Sequence, residues 1–390
     1  MGTRADRQWP DGRGENSTGA KEQLRRRSSA WPLGIGLAVA PGMLDRLREA
    51  RLLASLVSAA ADPDRPLITH LIVTRRCNLS CGYCFEYDNV SPPVPTDVLM
   101  ERIDHLARLR SVFVTLTGGE SLLHPDIVEL VAYVRSRGMV PLLNTNGFLL
   151  TREIIERLGD AGLFAMQMSI DNARPNAVSK KSLKTLRPKL RLLANHARFR
   201  VRINTVLGSG SPVEALEVAK AVVEHGFDNN CSLVREASGA IAPVDAVTRD
   251  VYEQIRRLGS RLPPLLDDDY TQKLLEEGRV DWKCRAGART FLVCENGLVH
   301  MCQPRMGSPG TPLAEYTVEH VRLAFAAPKP CATTCPIAFA HHASKFDRWR
   351  SQDGRPLALN ENPPRQAGDD APPVPRGRRS RLLTLVAAAG

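Results

Sequence analysis

Runs of apolar and β-branched residues recur through the middle of the chain, and segments with helical periodicity separate them. Six runs predict strands, at residues 67–74, 111–119, 139–147, 163–171, 200–208 and 229–235. Helices are predicted to begin near Asp97, at Pro125, at Thr151, near Pro175 and at Pro212. Because a helix follows each of the first five strands, the pattern predicts a parallel sheet with right-handed crossovers. Six strands are too few for a closed eight-stranded barrel. We therefore expect an α/β fold with an open, partial (β/α)6 barrel over residues 67–235.

The flanking segments lack this regular pattern. Residues 1–66 predict a disordered arm with short helices, one of them over 43–60, and Met43 is an alternative start of the protein. Residues 236–283 predict a helical connector with a helix over 248–262. Residues 284–345 predict a small cysteine-rich α+β extension. Residues 346–390, rich in proline and arginine, predict a flexible tail.

Glycines and polar residues collect where the predicted strands end. "CNLSCGYC" (77–84) follows the first strand, "TGGES" ends the second, "NTNG" the third and "SID" the fourth. Parallel barrels carry their chemistry at the carboxyl ends of the strands. We therefore expect these four segments to form one site.

Three cysteines of the first segment have the spacing C-x3-C-x2-C, and the chain has nine cysteines in all. An odd, clustered set without a convincing secretory signal favours metal ligation in a reducing compartment, so we expect a cytoplasmic protein. Three thiolates suit a [4Fe–4S] cluster that keeps one iron open. The alternatives are a zinc site completed by a distant histidine, and cysteines that are redox-active or simply buried.

The net charge of +11 does not by itself indicate a nucleic-acid partner. Nine basic residues and no acidic one occur from Lys180 to Arg202, where leucines at helical spacing predict an amphipathic helix with a basic outer face. That face is either solvated or contacts an anionic substrate or partner. No zinc finger, RNA-binding aromatic pattern or recognition helix supports base recognition. No apolar run reaches the roughly 18 residues of a membrane span.

The C-x3-C-x2-C spacing with Tyr83 before the last cysteine resembles the signature of the radical S-adenosylmethionine (SAM) superfamily. "TGGESLLHPDI" is similar to that family's GGE motif, although Ser121 stands where proline is common. "NTNG" resembles its third-strand element, and "MSIDN" its fourth, with Asn172 in place of a frequent glycine. The resemblance covers about residues 67–235.

The resemblance implies a cofactor and a set of residues that bind it. Cys77, Cys81 and Cys84 would hold a [4Fe–4S] cluster, and the methionyl amino and carboxylate groups of SAM would chelate the open iron. The candidate SAM contacts are Gly118, Gly119, Glu120, Ser169, Asp171 and Asn204: Glu120 and the two glycines for the amino group, Ser169 and Asp171 for the ribose or carboxylate, and Asn204 for the adenosine side. An electron donor such as flavodoxin or ferredoxin would reduce the cluster, and the 5′-deoxyadenosyl radical from SAM would take a hydrogen atom from the substrate.

The later cysteines have a second pattern. C-x12-G-x4-C from Cys284 to Cys302 resembles the opening of the SPASM/twitch extension of many radical SAM enzymes, and it implies a β-hairpin. Cys331 and Cys335 would complete four ligands for one auxiliary [4Fe–4S] cluster. Cys294 is expected to be a hairpin core residue or an alternative ligand. Cys231 is expected to be a plain core residue of the sixth strand.

The substrate is not evident from the sequence. Oxidation of a small molecule, with the auxiliary cluster accepting the electron, is the leading hypothesis. Modification of a ribosomally made peptide is an alternative, although residues 1–66 show no strands of a leader-binding domain. Lipid or isoprenoid chemistry at a membrane surface is a third. A non-enzymatic iron–sulfur sensor is the alternative of another class, and it would not need the GGE and SID segments.

Overall fold

A computed structural model describes residues 43–235, 240–241, 244–258 and 269–352. The strands are β1 (Ile68–Thr74), β2 (Phe113–Gly118), β3 (Val140–Thr145), β4 (Ala165–Ser169), β5 (Arg200–Leu207), β6 (Asp228–Leu233), β7 (Thr290–Val293), β8 (Leu298–His300) and β9 (Thr311–Pro312). The helices are α1 (Met43–Ala61), α2 (Thr96–Arg108), α3 (Ile127–Ser136), α4 (Arg152–Ala161), α5 (Leu183–His196), α6 (Pro212–Glu224), α7 (Ala246–Leu258), α8 (Tyr270–Glu277), α9 (Val318–Ala326) and α10 (Ala338–Lys345).

The strands form one sheet in the order β6-β5-β4-β3-β2-β1-β7-β8-β9. All neighbours from β6 to β1 pair in parallel, which confirms the predicted α/β fold with its parallel sheet. Strand β7 pairs in parallel with the other edge of β1, and β8 returns beside it as an antiparallel hairpin. The expected hairpin therefore exists, and it joins the same sheet as the six predicted strands.

Two of the predicted helix starts are wrong. Helix α3 begins at Ile127 rather than at Pro125. A 3-10 turn precedes it, and the His124 side chain accepts from the Asp126 N–H at 3.2 Å, so that this N–H is bound outside the helix. Helix α5 begins at Leu183 rather than near Pro175. Its cap is Ser182, and the residues before the cap form a loop that folds back over the end of β4. Near Asp97, at Thr151 and at Pro212 the helices begin as predicted.

The two faces of the sheet differ in polarity. On β5, Val201 and Ile203 lie in the main apolar core. Alternation places Arg202 and Asn204 on the opposite, concave face. That face carries an amide side chain on each of four successive strands: Asn144 on β3, Gln167 on β4, Asn204 on β5 and Asn230 on β6. The concave face therefore carries polar amides beside apolar residues such as Leu142 and Ala165.

Three buried arginines connect the ends of the described chain to the sheet. Arg289 forms an ion pair with Asp347 at 2.6 Å, and both side chains are completely buried. The same guanidinium donates to the carbonyl oxygens of Ala59 and Asp62 at the end of α1. Arg350 and Arg285 make similar bonds to backbone carbonyls. Residues 346–352, where the sequence places the start of a tail, are therefore packed, and the rest of that tail lies outside the described residues.

Several sequence predictions fall partly outside the described residues. Outside the described residues lie positions 1–42 of the predicted arm, positions 259–262 of the helix predicted over 248–262, and most of the predicted tail. The domain boundaries stay predictions. Helix α1 matches the helix predicted over 43–60. In the described part of the chain, no helix has both the length and the apolar character needed to cross a bilayer.

We predict that Asp347→Asn destabilises the protein strongly. Removing one partner of a buried ion pair leaves an uncompensated charge and costs about 3–5 kcal/mol. Urea unfolding followed by circular dichroism measures the change. The matched control is Asp64→Asn, which breaks the exposed pair with Arg322 and should cost no more than about 1 kcal/mol. Equal, small effects of both substitutions would contradict the prediction.

Candidate active site

The cysteine loop begins directly after β1 and is held by the backbone of its neighbours. The Asp88 N–H donates to the Arg75 carbonyl at 2.8 Å, which closes the loop at its base. The Cys84 N–H donates to the Cys81 carbonyl at 3.1 Å, which forms the turn between the last two cysteines. The Cys77 sulfur accepts from the Leu79 N–H at 3.4 Å. Such N–H donors are suited to a thiolate.

Cys81 acts electrostatically on both of the other thiols of this loop. Burial raises the pKa of Cys77, and repulsion from a Cys81 thiolate adds to that increase. Burial also raises the pKa of Cys84 to about 11, with smaller contributions from Glu86 and from Cys81. All nine cysteines are free thiols. Metal binding here would displace protons from these sulfur atoms.

The glycine pair after β2 lets the strand end approach the cysteine loop. Gly118 has φ +133°, and a Cβ there would lie 2.1 Å from the Thr74 carbonyl oxygen. A Cβ on Gly119 would lie 2.4 Å from the carbonyl oxygens of Arg75 and Arg76. Among the described residues no donor reaches the Gly119 carbonyl oxygen. That open acceptor is the kind of group that a methionyl ammonium needs.

Glu120 is completely buried and ties the end of β2 to the end of β3. Its Oε1 accepts from the Thr145 hydroxyl at 2.6 Å and from the Leu122 N–H at 3.0 Å. Its Oε2 accepts from the Asn146 N–H at 2.6 Å. Burial raises the pKa of Glu120, and these three hydrogen bonds oppose the increase. Oε2 keeps a lone pair for one further donor.

Asn146 continues this connection toward the cysteines. Its side-chain amide donates to the Cys77 sulfur at 3.8 Å and to the Asn78 Oδ1 at 2.7 Å. The "NTNG" segment therefore contacts both Glu120 and the loop. The sequence pointed to the segment but not to Asn146 as the side chain that reaches the loop.

Asp171 forms the centre of a second buried network. Its Oδ2 accepts from the hydroxyls of Tyr83 and Ser179, each at 2.7 Å. The Lys181 ammonium lies 3.2 Å from the same oxygen and also donates to the Tyr83 hydroxyl. Asp171 Oδ1 is buried without a partner among the described residues. An unpartnered buried carboxylate oxygen at the end of β4 suits a hydroxyl or amine of a bound cofactor.

The other predicted SAM contacts lie beside these networks. The register pairs Ser169 with Asn204 on neighbouring strands, and Asn204 with Asn230. The Asn204 side-chain oxygen accepts from Asn230 and from Ser232, each at 2.8 Å. Within the described residues the Ser169 hydroxyl makes no hydrogen bond. All six predicted SAM contacts therefore lie at the carboxyl edge of the sheet.

The structure also shows what the sequence missed. The sequence pattern places Lys181 among the residues of the basic outer face, but its side chain points inward to Asp171 and Tyr83 and is buried. Tyr83 was noted only as part of the cysteine signature. Lys181 could not be singled out from the sequence, because nothing in this basic segment indicates which lysine of the pair 180–181 points inward.

The second set of cysteines lies against the hairpin. Cys284 and Cys302 share a small apolar cluster with Trp282 and Ala332. The Ala332 carbonyl accepts from the Trp282 indole at 2.6 Å, and the Cys335 carbonyl accepts from the Tyr270 hydroxyl at 2.5 Å. These bonds hold the loop that carries Cys331 and Cys335 in place.

The four thiols of this set influence one another. Burial raises the pKa of Cys335 to about 12, and repulsion from Cys284, Cys302 and Cys331 contributes. Cys294 stands apart, packed against Ile72 and Leu292. Cys231 is a half-buried residue of β6 beside a separate apolar cluster. Among the described side chains, no group of three or more histidine, cysteine, aspartate or glutamate residues is arranged to hold a metal ion.

Comparison with known proteins places this geometry in a family. The family model described as "Radical SAM superfamily" matches residues 71–235. These residues are a radical SAM domain. The match includes the cysteine loop, the glycine pair with Glu120, and Asp171, so the predicted resemblance is confirmed for this domain. The family implies a [4Fe–4S] cluster and SAM. Three thiols on one loop are the ligand type of such a cluster, and the open Gly119 carbonyl and the unpartnered Asp171 oxygen are acceptors suited to SAM.

Individual relatives of the radical SAM domain differ in what they act on. The chain is 32% identical over 133 residues to the Fe-coproporphyrin III synthase of Methanosarcina barkeri, covering 33% of this chain and 32% of that protein. It is 27% identical over 265 residues to the PqqA peptide cyclase of Methylocella silvestris, covering 61% of this chain and 68% of that protein. The matches to the first curated relatives span about a third of their length.

A solved structure supports the fold. SuiB of Streptococcus suis bound to the precursor peptide SuiA matches with a TM-score of 0.55 and 15% identity, over 77% of this chain and 75% of that chain. The likeness covers more of the chain than the family model does, and at this identity it shows the fold alone.

We predict that Glu120→Gln weakens SAM binding about ten- to a hundredfold, since a charge-assisted hydrogen bond contributes roughly 1.5–3 kcal/mol. The new amide would also direct a donor at either the Asn146 N–H or the Thr145 hydroxyl. Iron content should stay at the wild-type value, because the three cysteines remain. Equilibrium binding of SAM to the reconstituted protein, with iron analysis alongside, checks both statements. Loss of iron together with binding would make Glu120 a structural residue only.

Proposed function

We propose that this protein is a radical SAM enzyme that cleaves SAM reductively and modifies a peptide substrate by hydrogen abstraction. The observation that carries the proposal is that Glu120, through Asn146, and Asp171, through Tyr83, both contact the loop that carries Cys77, Cys81 and Cys84 at one edge of the sheet. Each of these groups comes from the end of a different strand or from the loop after β1. Packing alone does not explain this collection of buried polar groups.

Each residue has a role toward the bound cofactors. Cys77, Cys81 and Cys84 would hold the cluster, and the Gly119 carbonyl and Glu120 Oε2 would accept from the methionyl ammonium. Asp171 Oδ1 would accept from a ribose hydroxyl, and the Ser169 hydroxyl would accept from the ribose or donate to the carboxylate, with Asn204 on the adenosine side. When bound, the cluster and SAM supply a radical that abstracts hydrogen from an unactivated C–H bond. The chain's own contribution is to position both molecules and to exclude water.

We further propose that Cys284, Cys302, Cys331 and Cys335 bind an auxiliary [4Fe–4S] cluster. Four thiolates are a complete ligand set for such a cluster. The Lys329 ammonium lies near them: burial lowers its pKa to about 8, and attraction by Cys284, Cys331 and Cys302 opposes the decrease. A half-buried cation that these thiolates attract would offset part of the negative charge of a thiolate-bound cluster.

A peptide substrate is supported by a match of 265 residues to a peptide cyclase and by the amides of the concave face. The alignment with a PqqA peptide cyclase extends well beyond the radical SAM domain. The amides of Asn144, Gln167, Asn204 and Asn230 can both donate and accept, as peptide groups do.

Oxidation of a small molecule is the second candidate. The match to an Fe-coproporphyrin III synthase, at higher identity over a shorter segment, favours a small molecule over a peptide as the substrate. The auxiliary cluster would then accept the substrate electron.

Replacing Cys84 by alanine should abolish formation of 5′-deoxyadenosine from SAM under anaerobic, reducing conditions. The fold should persist, because the loop lies at the edge of the sheet and not in its core. Chromatographic detection of 5′-deoxyadenosine measures the reaction. Cys231→Ala, on β6 and outside both cysteine sets, is the matched control and should keep the wild-type rate. Wild-type turnover in Cys84→Ala would refute the assignment.

The triple substitution Cys77→Ala, Cys81→Ala and Cys84→Ala should leave about four irons per chain, half of about eight, by the stoichiometry of a four-iron cluster. Removing Cys284, Cys302, Cys331 and Cys335 should leave the other half. Iron analysis and absorption spectra after anaerobic reconstitution check this. An iron-free triple variant, or zinc in place of iron, would show that the later cysteines do not hold a cluster.

A further inference from the structure

Helix α5 carries a row of basic side chains on its outer face. Lys184, Arg187 and Arg191 are exposed, and Lys180 precedes them in the loop before the cap. Spacings of three and four residues place Lys184, Arg187 and Arg191 on one face of the helix. We call Lys180, Lys184, Arg187 and Arg191 the basic stripe. Within the described part of the chain, none of the four forms an ion pair with a carboxylate.

Helix stability does not explain the basic stripe. Like charges three and four residues apart repel one another on a helix surface. The first turn of α5 contains no acidic residue, although a helix N-terminus favours negative charge. Lys189, by contrast, turns away and donates to the Leu150 carbonyl at 2.7 Å. The stripe is therefore a concentration of unneutralised charge that the fold does not need.

The loop that leads into the stripe covers the cysteine loop. The Gly82 N–H donates to the Val178 carbonyl at 2.9 Å. The Ser179 hydroxyl lies 3.9 Å from the Cys81 sulfur. Gly82 is exposed, and the Val178 side chain is 38% exposed. A cluster held by Cys81 would thus lie directly behind a small, weakly polar patch of surface with the basic stripe at its side.

We propose that this patch and the basic stripe together form the docking surface for an acidic one-electron donor protein of the flavodoxin type. The inference rests on the proposed function, because a resting cluster must gain one electron before SAM can be cleaved. In that step the donor is oxidised by one electron and the cluster is reduced by one, and no bond forms or breaks. At this place only a short distance separates the surface from Cys81, and the basic stripe beside it would attract a negatively charged donor.

The physical character of the surface fits a transient electron-transfer complex. Such complexes have small interfaces, and opposite charge speeds the encounter rather than holding the partners together. An acidic precursor peptide is the other anionic occupant. It is less suitable, because the stripe lies on the outer face of α5, while the substrate must reach the concave face on the other side of the sheet.

The test uses the reconstituted full chain with a purified bacterial flavodoxin in its fully reduced form. The double variant Lys184→Glu with Arg187→Glu reverses the centre of the stripe. Lys220→Glu, an exposed lysine on the neighbouring helix α6, is the control for charge change. We expect at least a tenfold lower rate of flavodoxin-driven 5′-deoxyadenosine formation at low ionic strength, by loss of steering. The anisotropy of flavin fluorescence should show a correspondingly weaker complex. Added salt should bring the wild-type and variant rates together.

Dithionite, a small reductant that needs no docking surface, separates the possible outcomes. Unchanged dithionite-driven turnover in the double variant, with the control unaffected throughout, supports the proposal. An unchanged flavodoxin rate, an equal loss with both reductants, or an equal loss in Lys220→Glu would overturn it. The proposal would also be overturned if the double variant bound an acidic peptide more weakly while its reaction with flavodoxin stayed unchanged. If the wild-type chain does not cleave SAM even with dithionite, the proposed function fails, and the anisotropy measurement still decides whether the stripe binds the donor.

Discussion

The buried carboxylate of Glu120 is the constraint on which the arrangement of the carboxyl edge of the sheet depends. A carboxylate without exposure must receive hydrogen bonds, since an unpaired buried charge is very costly. Its three donors come from the turn after β2 and from the end of β3. Asn146, fixed by this contact, then reaches Cys77. One side chain therefore sets the relative position of two strand ends and the cysteine loop, before any cofactor binds.

Strand β1 fixes the relation between the two cysteine sets. It pairs with β2 on one edge and with β7 on the other, both in parallel. Cys77 follows β1, and the hairpin that begins with β7 leads to Cys302 within a few residues. The two candidate cluster sites are therefore connected through a shared sheet and not through a flexible linker. Fixed separation is what an electron acceptor needs if it is to serve a radical made at the first site.

The sequence predicted the six parallel strands well, because their apolar runs are long and lie between helical segments. The pairing of β7 with β1 could not be predicted, since Thr290–Val293 is four residues long and stands outside the repeating pattern, although the resemblance implies a hairpin there. The start of α5 was placed too early, because the turn near Pro175 looks like a helix start. The intervening residues instead hydrogen-bond to the cysteine loop over a long sequence separation, and no local pattern reveals that contact.

The candidate site could be located from its motifs, but the roles of individual side chains could not. Glycines, Glu120 and Asp171 stand in recognisable segments, whereas Asn146 is identified only by what it touches.

The basic segment shows how one stretch of sequence can serve two surfaces. Ser182 caps α5, and the change from loop to helix at this residue turns neighbouring lysines in opposite directions. Lys181 enters the site, where Asp171 neutralises it at 3.2 Å and Tyr83 joins the pair to the cysteine loop. Lys180 and Lys184 remain outside at the edge of the same loop. A charge inside the site holds the cysteine loop, and charges outside it lie where an electron would arrive. Both follow from one short loop that must close over the cysteines.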